Sequence, residues 1–169
     1  MAELFFKKFN NELKIAITNH YRALNERFKE ETFYGYALYT SEDVFSIGPV
    51  ANRNNNITVE IDNDMYNYYR YSPDEWSDWD DFEMFDVVNK IIGELYSKPN
   101  AIFKQIKKEI LSESLKAMDE LDENGIFGIK NDNRFLIIWI SDSDSEIMSA
   151  SAKKLNTIKV YQEYVSEFE

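Results

Sequence analysis

The residues best suited to chemistry follow the apolar run FLIIWI at Phe135–Ile140, where Asp142, Asp144 and Glu146 alternate with serines. A strand-end Asp-x-Asp can hold a magnesium ion against a phosphate. The same positions suit a helix start, where Ser and Asp side chains accept from unpaired N–H groups and favour the positive end of the dipole. Capping is the expected use. Neither a G-x-G-x-x-G loop nor a Walker A sequence is present to cradle phosphate, and the glycine and distal glutamate of a calcium loop are missing. His20, the only histidine, falls on the apolar stripe of a helix and is expected to be a hydrogen-bonded core residue. With no cysteine, thiol catalysis is excluded and a zinc site lacks its usual ligands. The serines lack a G-x-S-x-G elbow. No catalytic residue, metal site or cofactor is assigned.

The most distinctive stretch is Ser72–Asp86, SPDEWSDWDDFEMFD, with seven acids, no base, and Trp76 and Trp79 interleaved. If the segment is helical, tryptophans three residues apart stand on one side of a turn. Aromatic anchors ringed by charge resemble protein-interface hot spots. Trp76 and Trp79 are then the anchors, and Asp78, Asp80 and Asp81 steer a basic partner. In the alternative, both rings pack into the domain and the acids face water. The tyrosines Tyr66, Tyr68, Tyr69 and Tyr71, with Arg70 among them, suit either strand packing or a ligand groove, and strand packing is expected.

The elements that must position these groups belong to a chain of 169 residues, long enough for one domain with a substantial core. Hydrophobic residues make up 44% and aromatics 15%, which argues against disorder. The net charge of −12 repels nucleic acid and anionic membranes and favours a basic protein partner. The start MAELFFKKF lacks the pattern of a secretory signal, and no apolar run approaches the ~18 residues of a membrane span. A cytoplasmic location is expected.

Phe6, Phe9, Leu13, Ala16, His20, Leu24 and Phe28 recur at helical spacing and predict a helix over 3–29. Residues 33–40 (FYGYALYT) read as a central strand, paired in a hairpin with a strand at Val44–Ile47. Further strands are expected at 57–61, at Tyr66–Tyr71, and as a second hairpin at 126–129 and 135–140. Helices are expected at about 80–97, 100–122 (stopped by Asn124-Gly125), 146–155, and beyond an Asn156 cap. The fold class is α+β: an antiparallel or mixed sheet of about five strands with helices packed on it.

The segments FYGYALYT (33–40), SIGPVANR (46–53), YYRYSPDEW (68–76), GIFG (125–128), IIWISDSDSE (137–146) and SAKKLN (151–156) together resemble the bacterial family catalogued as domain of unknown function 4303. The resemblance implies a one-domain protein of about this length and no established activity or site. By analogy with other small acidic proteins, the expected function is a protein-binding module, such as an immunity protein that neutralises a toxin. A metal-dependent hydrolase or phosphate-handling enzyme using Asp142 and Asp144 is the second expectation. An oligomeric structural or accessory protein is the third.

Overall fold

The computed structural model describes residues 2–80 and 83–169. In chain order these form α1 (Ala2–Arg27), β1 (Phe33–Thr40), β2 (Gly48–Arg53), α2 (Tyr66–Tyr71), β3 (Asp78–Trp79), α3 (Asp86–Tyr96), α4 (Phe103–Glu123), β4 (Phe135–Ile140), α5 (Glu146–Leu155) and α6 (Ile158–Phe168). Short 3-10 turns occur at Asn54–Asn56 and Pro73–Glu75. The fold is α+β, with one sheet of four strands rather than about five, in the order β3-β2-β1-β4. β1 runs antiparallel to β2 and parallel to β4, so the sheet is mixed.

β1 lies inside the sheet and is buried along nearly all its length, as its two apolar faces predict. On one face α1 covers it: His20 Nδ1 and the Tyr36 hydroxyl are 3.0 Å apart, and the Tyr21 ring meets Tyr36 edge-on. His20 is fully buried, the core residue it was expected to be. On the other face Trp76, Tyr71 and Tyr164 all contact the Phe135 ring. The outer edge of β4 does not meet water. The Leu136 N–H donates to Asn156 Oδ1 (2.8 Å) and the Ile138 N–H to Ser151 Oγ (2.9 Å), so α5 and the residue after it close the edge. Asn156 is committed to this role, and Thr157 caps α6 instead, its Oγ1 accepting from the Val160 N–H.

Four expected strands are absent. Val44, at φ 53°, turns the chain sharply, and β2 begins only at Gly48. Pro49 is tolerated because β3 pairs only with Val50 and Ala51. Residues 57–61 are irregular and leave Ile61 exposed. Tyr66–Tyr71 is helical, with the Tyr69 N–H donating to the Met65 carbonyl at 3.1 Å. Arg70 covers the Tyr34 ring at 4.6 Å, while Tyr68, two residues earlier, stacks on Phe168 of α6. Tyrosine favours strands only where a pleated surface receives it. Residues 126–129 are not a strand, since Gly125 and Gly128 both take positive φ. Gly125 ends α4 as expected, with the Ile126 N–H returning to the Leu121 carbonyl at 3.0 Å. The helix expected from about residue 80 starts at Asp86.

A buried ion pair braces the far end of the sheet. Arg134 pairs with Asp122, both side chains being 7% exposed, and also donates to the Gly128 and Leu155 carbonyls. It thereby joins the end of α4, the loop after it, the start of β4 and the end of α5. Removing one partner of such a pair costs about 3–5 kcal/mol, because the other charge stays buried.

Burial raises the pKa of Tyr34, Tyr36 and Tyr71 above the ordinary tyrosine value and pushes Tyr164 up to about 12. In the unfolded chain these hydroxyls ionise near ~10. Above that pH the unfolded state loses protons that the folded state keeps, so stability must fall as pH rises. Urea unfolding followed by circular dichroism should show a constant free energy at moderately alkaline pH. Above ~10 it should decline by up to about 1.4 kcal/mol per pH unit for each buried tyrosine. An undiminished free energy at strongly alkaline pH would contradict this burial.

Candidate functional site

The two tryptophans of the acidic segment part company. Residues 76–79 run extended into β3, and in an extended chain positions three apart point to opposite faces. Trp76 is 3% exposed. Its Nε1–H donates to the Arg70 carbonyl at 3.2 Å, and its ring meets Tyr34 at 5.9 Å and Phe135 at 6.1 Å. Trp79 is 45% exposed and packs edge-on against Tyr39 at 5.0 Å. The expectation of two anchors on one helical turn is thus corrected to one buried and one exposed indole.

The steering acids divide in the same way. Asp78 is buried, and Arg53 donates to both its oxygens, at 2.9 and 3.1 Å. Arg53 also reaches Glu31 Oε1 at 2.7 Å and lies 3.9 Å over the Phe28 ring. Asp78 therefore holds β2 to β3 and presents no uncompensated charge. Asp80 is half-buried, and Asp81 lies outside the described residues.

A different concentration of carboxylates lies at the carboxyl ends of the parallel strands β1 and β4. The Ser141 N–H donates to the Thr40 carbonyl, and the chain then turns at Asp142, φ 52°, a left-handed conformation that aspartate tolerates better than most residues. Capping does not occupy this segment as expected: Ser145, at the N-cap of α5, makes no side-chain capping bond. A cleft of about 490 Å³ opens here. Asp74, Asp142, Asp144, Glu146 and Glu169 line it, with Tyr68, Trp139, Tyr164 and Phe168 as its aromatic wall. Among the described residues no lysine, arginine or histidine lines it.

The cleft is continuous with Trp79. The Tyr39 hydroxyl donates to Asp74 Oδ1 at 2.7 Å, while the Tyr39 ring carries Trp79. Partial burial and the bond to Asp74 raise the Tyr39 pKa, so it remains a donor at neutral pH. Trp139 is 5% exposed, and its buried Nε1–H has no acceptor among the described residues. Leaving such a donor unpaired costs about 1–3 kcal/mol. The surface combines carboxylates with aromatic faces, groups that can both interact favourably with a cation. Among the described residues no three His, Cys, Asp or Glu side chains are grouped so as to hold a metal ion, although Asp142, Asp144 and Glu146 share the cleft.

The carboxylates after FLIIWI were visible in the sequence, but their union with Asp74, Tyr39 and the α6 aromatics was not. Asp74 and Asp142 are far apart in the chain, and only the parallel pairing of β1 with β4 brings their segments together.

Fold and site define an α+β domain with an acidic, aromatic-walled cleft. The chain matches the family described as Domain of unknown function (DUF4303) over residues 13–157, and it belongs to that family. Comparison with the curated proteins and with the solved structures returns no match. Among the described residues no helix is long and apolar enough to cross a membrane.

The two indoles should respond differently to truncation. Trp76→Ala should lower stability by about 3–5 kcal/mol, as expected for a buried large aromatic. Trp79→Ala should lower it by less than about 1 kcal/mol, as for a surface site. Chemical denaturation of both variants measures the difference, and equal losses would contradict the assignment.

Proposed function

We propose that this protein is a binding module that receives a basic segment of a protein partner in the cleft at the carboxyl ends of β1 and β4. The supporting observation is the cleft's composition: five carboxylates, an aromatic wall, and no base among the described residues. A lysine or arginine side chain entering it finds carboxylates for its charge and ring faces for its stem. Trp79 and Tyr39 extend the contact surface from the cleft along β3. The net charge of −12 would speed the encounter. Neutralising a basic, toxin-like partner in the cytoplasm is the finer form of this reading. The metal-dependent hydrolase reading has less support, because Asp142 and Asp144 have no grouped third ligand among the described residues.

Any acidic protein attracts a cationic peptide, so the test must locate the binding. A lysine- and arginine-rich peptide would be titrated by calorimetry at low ionic strength. The proteins compared would be the wild type, the triple variant Asp142→Asn/Asp144→Asn/Glu146→Gln, and a charge-matched control, Glu60→Gln/Asp62→Asn/Asp64→Asn, altered on an exposed loop. The cleft variant should bind roughly tenfold more weakly, and the control less than about twofold. Equal weakening in both variants would reduce the interaction to net charge and remove the cleft from the proposal.

A further inference from the structure

Of the side chains that line the cleft, Trp139 alone among the described residues has a buried donor with no acceptor. It follows Phe135 and Ile137 along β4, and residues two apart on a strand share a face. Phe135 meets Tyr71 of α2 and Tyr164 of α6, so this is the face turned toward those helices. Phe168 of α6 lies edge-on to the Trp139 ring at 5.5 Å, which puts the indole in the wall between β4 and α6. Tyr39, its neighbour in register on β1, turns its hydroxyl to Asp74 instead. The other tryptophans differ: the Trp76 Nε1–H reaches the Arg70 carbonyl at 3.2 Å, and Trp79 is exposed.

A buried N–H that no protein group accepts gains a bond when a ligand brings an acceptor. The charge of the cleft decides which acceptor. A carboxylate or phosphate oxygen would take the bond, but Asp74, Asp142, Asp144, Glu146 and Glu169 line the same cleft and repel it. A protonated polyamine satisfies those carboxylates yet carries donors only. A peptide segment carries both parts: cationic side chains, and a main chain of neutral carbonyls.

We propose that the Trp139 Nε1–H donates to a main-chain carbonyl of the bound segment, which makes Trp139 the residue that selects a cationic polypeptide over other cations. This rests on the reading of the cleft as the site for a basic segment. The carboxylates take up the segment's charge, and Trp139 fixes where its backbone lies. The donor is covered by protein, so its engagement requires part of the wall to yield. Phe168, half-buried, is the last residue of α6, and the carbonyls of a final helical turn have no helical donors. End turns of this kind open at little cost, and the new bond offsets the packing given up.

Calorimetry would compare the lysine- and arginine-rich peptide with spermine, a polyamine that has no carbonyl. Each is titrated into the wild type and into Trp139→Phe, which keeps a ring and removes the donor. The peptide should bind Trp139→Phe roughly fivefold more weakly, while spermine should bind both proteins alike to within about twofold. The peptide's loss should be the same at low and moderate ionic strength, because the donor is neutral. In the ¹⁵N–¹H spectrum of the wild type, the Trp139 indole signal should move downfield with the peptide and not with spermine. That shift needs no variant, so it decides the matter even where Trp139→Phe fails to fold. Equal weakening of peptide and spermine in Trp139→Phe would reduce the indole to a wall and overturn the inference. Unchanged peptide binding, or a Trp139 signal that both cations move alike, would overturn it too. In each of these cases, peptide binding still weakened in Asp142→Asn/Asp144→Asn/Glu146→Gln leaves the basic-segment reading standing. Peptide binding indifferent to that triple variant removes the reading, and the inference falls with it.

Discussion

Trp76 rests on the one position of the buried strand that has no side chain. A Cβ on Gly35 would lie 2.7 Å from the Trp76 ring, closer than carbon atoms pack, so β1 must carry glycine for the indole to sit where it does. From that contact much of the rest follows. The Trp76 Nε1–H and the Tyr34 hydroxyl both donate to the Arg70 carbonyl, which sets α2 against the sheet. The chain leaving Trp76 pairs with β2 through Asp78 and Trp79, bringing Asp78 to Arg53 and turning Trp79 outward. The same segment places Asp74 beside Tyr39 at the lip of the cleft.

The cleft also depends on β4 lying parallel to β1, since only then do both strands deliver their carboxyl ends to one side. β4 holds that place at the edge of the sheet because Ser151 and Asn156 satisfy its outward N–H groups and Arg134 ties its start to α4 and α5. The acids after β4 are consequently free of structural duty in capping, whereas Asp78, in the most acidic stretch of the chain, is consumed by it. Charge density along a sequence measures neither exposure nor availability. The cleft illustrates this, drawing its carboxylates from three separate segments of the chain.

Much of the architecture was legible. Helical periodicity located α1, α4, α5 and α6 to within a few residues, and the unbroken apolar character of FYGYALYT and FLIIWI identified both parallel strands. What failed was decided by distant partners. Tyr66–Tyr71 has strand composition but forms a helix, from which Arg70 covers the Tyr34 ring and Tyr68 meets Phe168. Val44–Ile47 has strand composition, but a positive φ at Val44 and the bonds from Asn89 of α3 to Ile47 make it a loop. At the site, Trp79, Asp142 and Asp144 were recognisable as residues of interest. The roles of Trp76 and Asp78 were not, because a three-residue spacing means one face in a helix and opposite faces in a strand.

The measurement closest to the central claim is NMR of the indole ¹⁵N–¹H signals, one for each of the three tryptophans, during titration with a basic peptide. Trp79 beside the cleft and Trp139 in its wall should shift as the peptide binds, and Trp76, bonded to the Arg70 carbonyl beneath the sheet, should stay in place. A titration that moved Trp76 while Trp139 and Trp79 stayed unchanged would contradict both its place in the core and the location of the binding face.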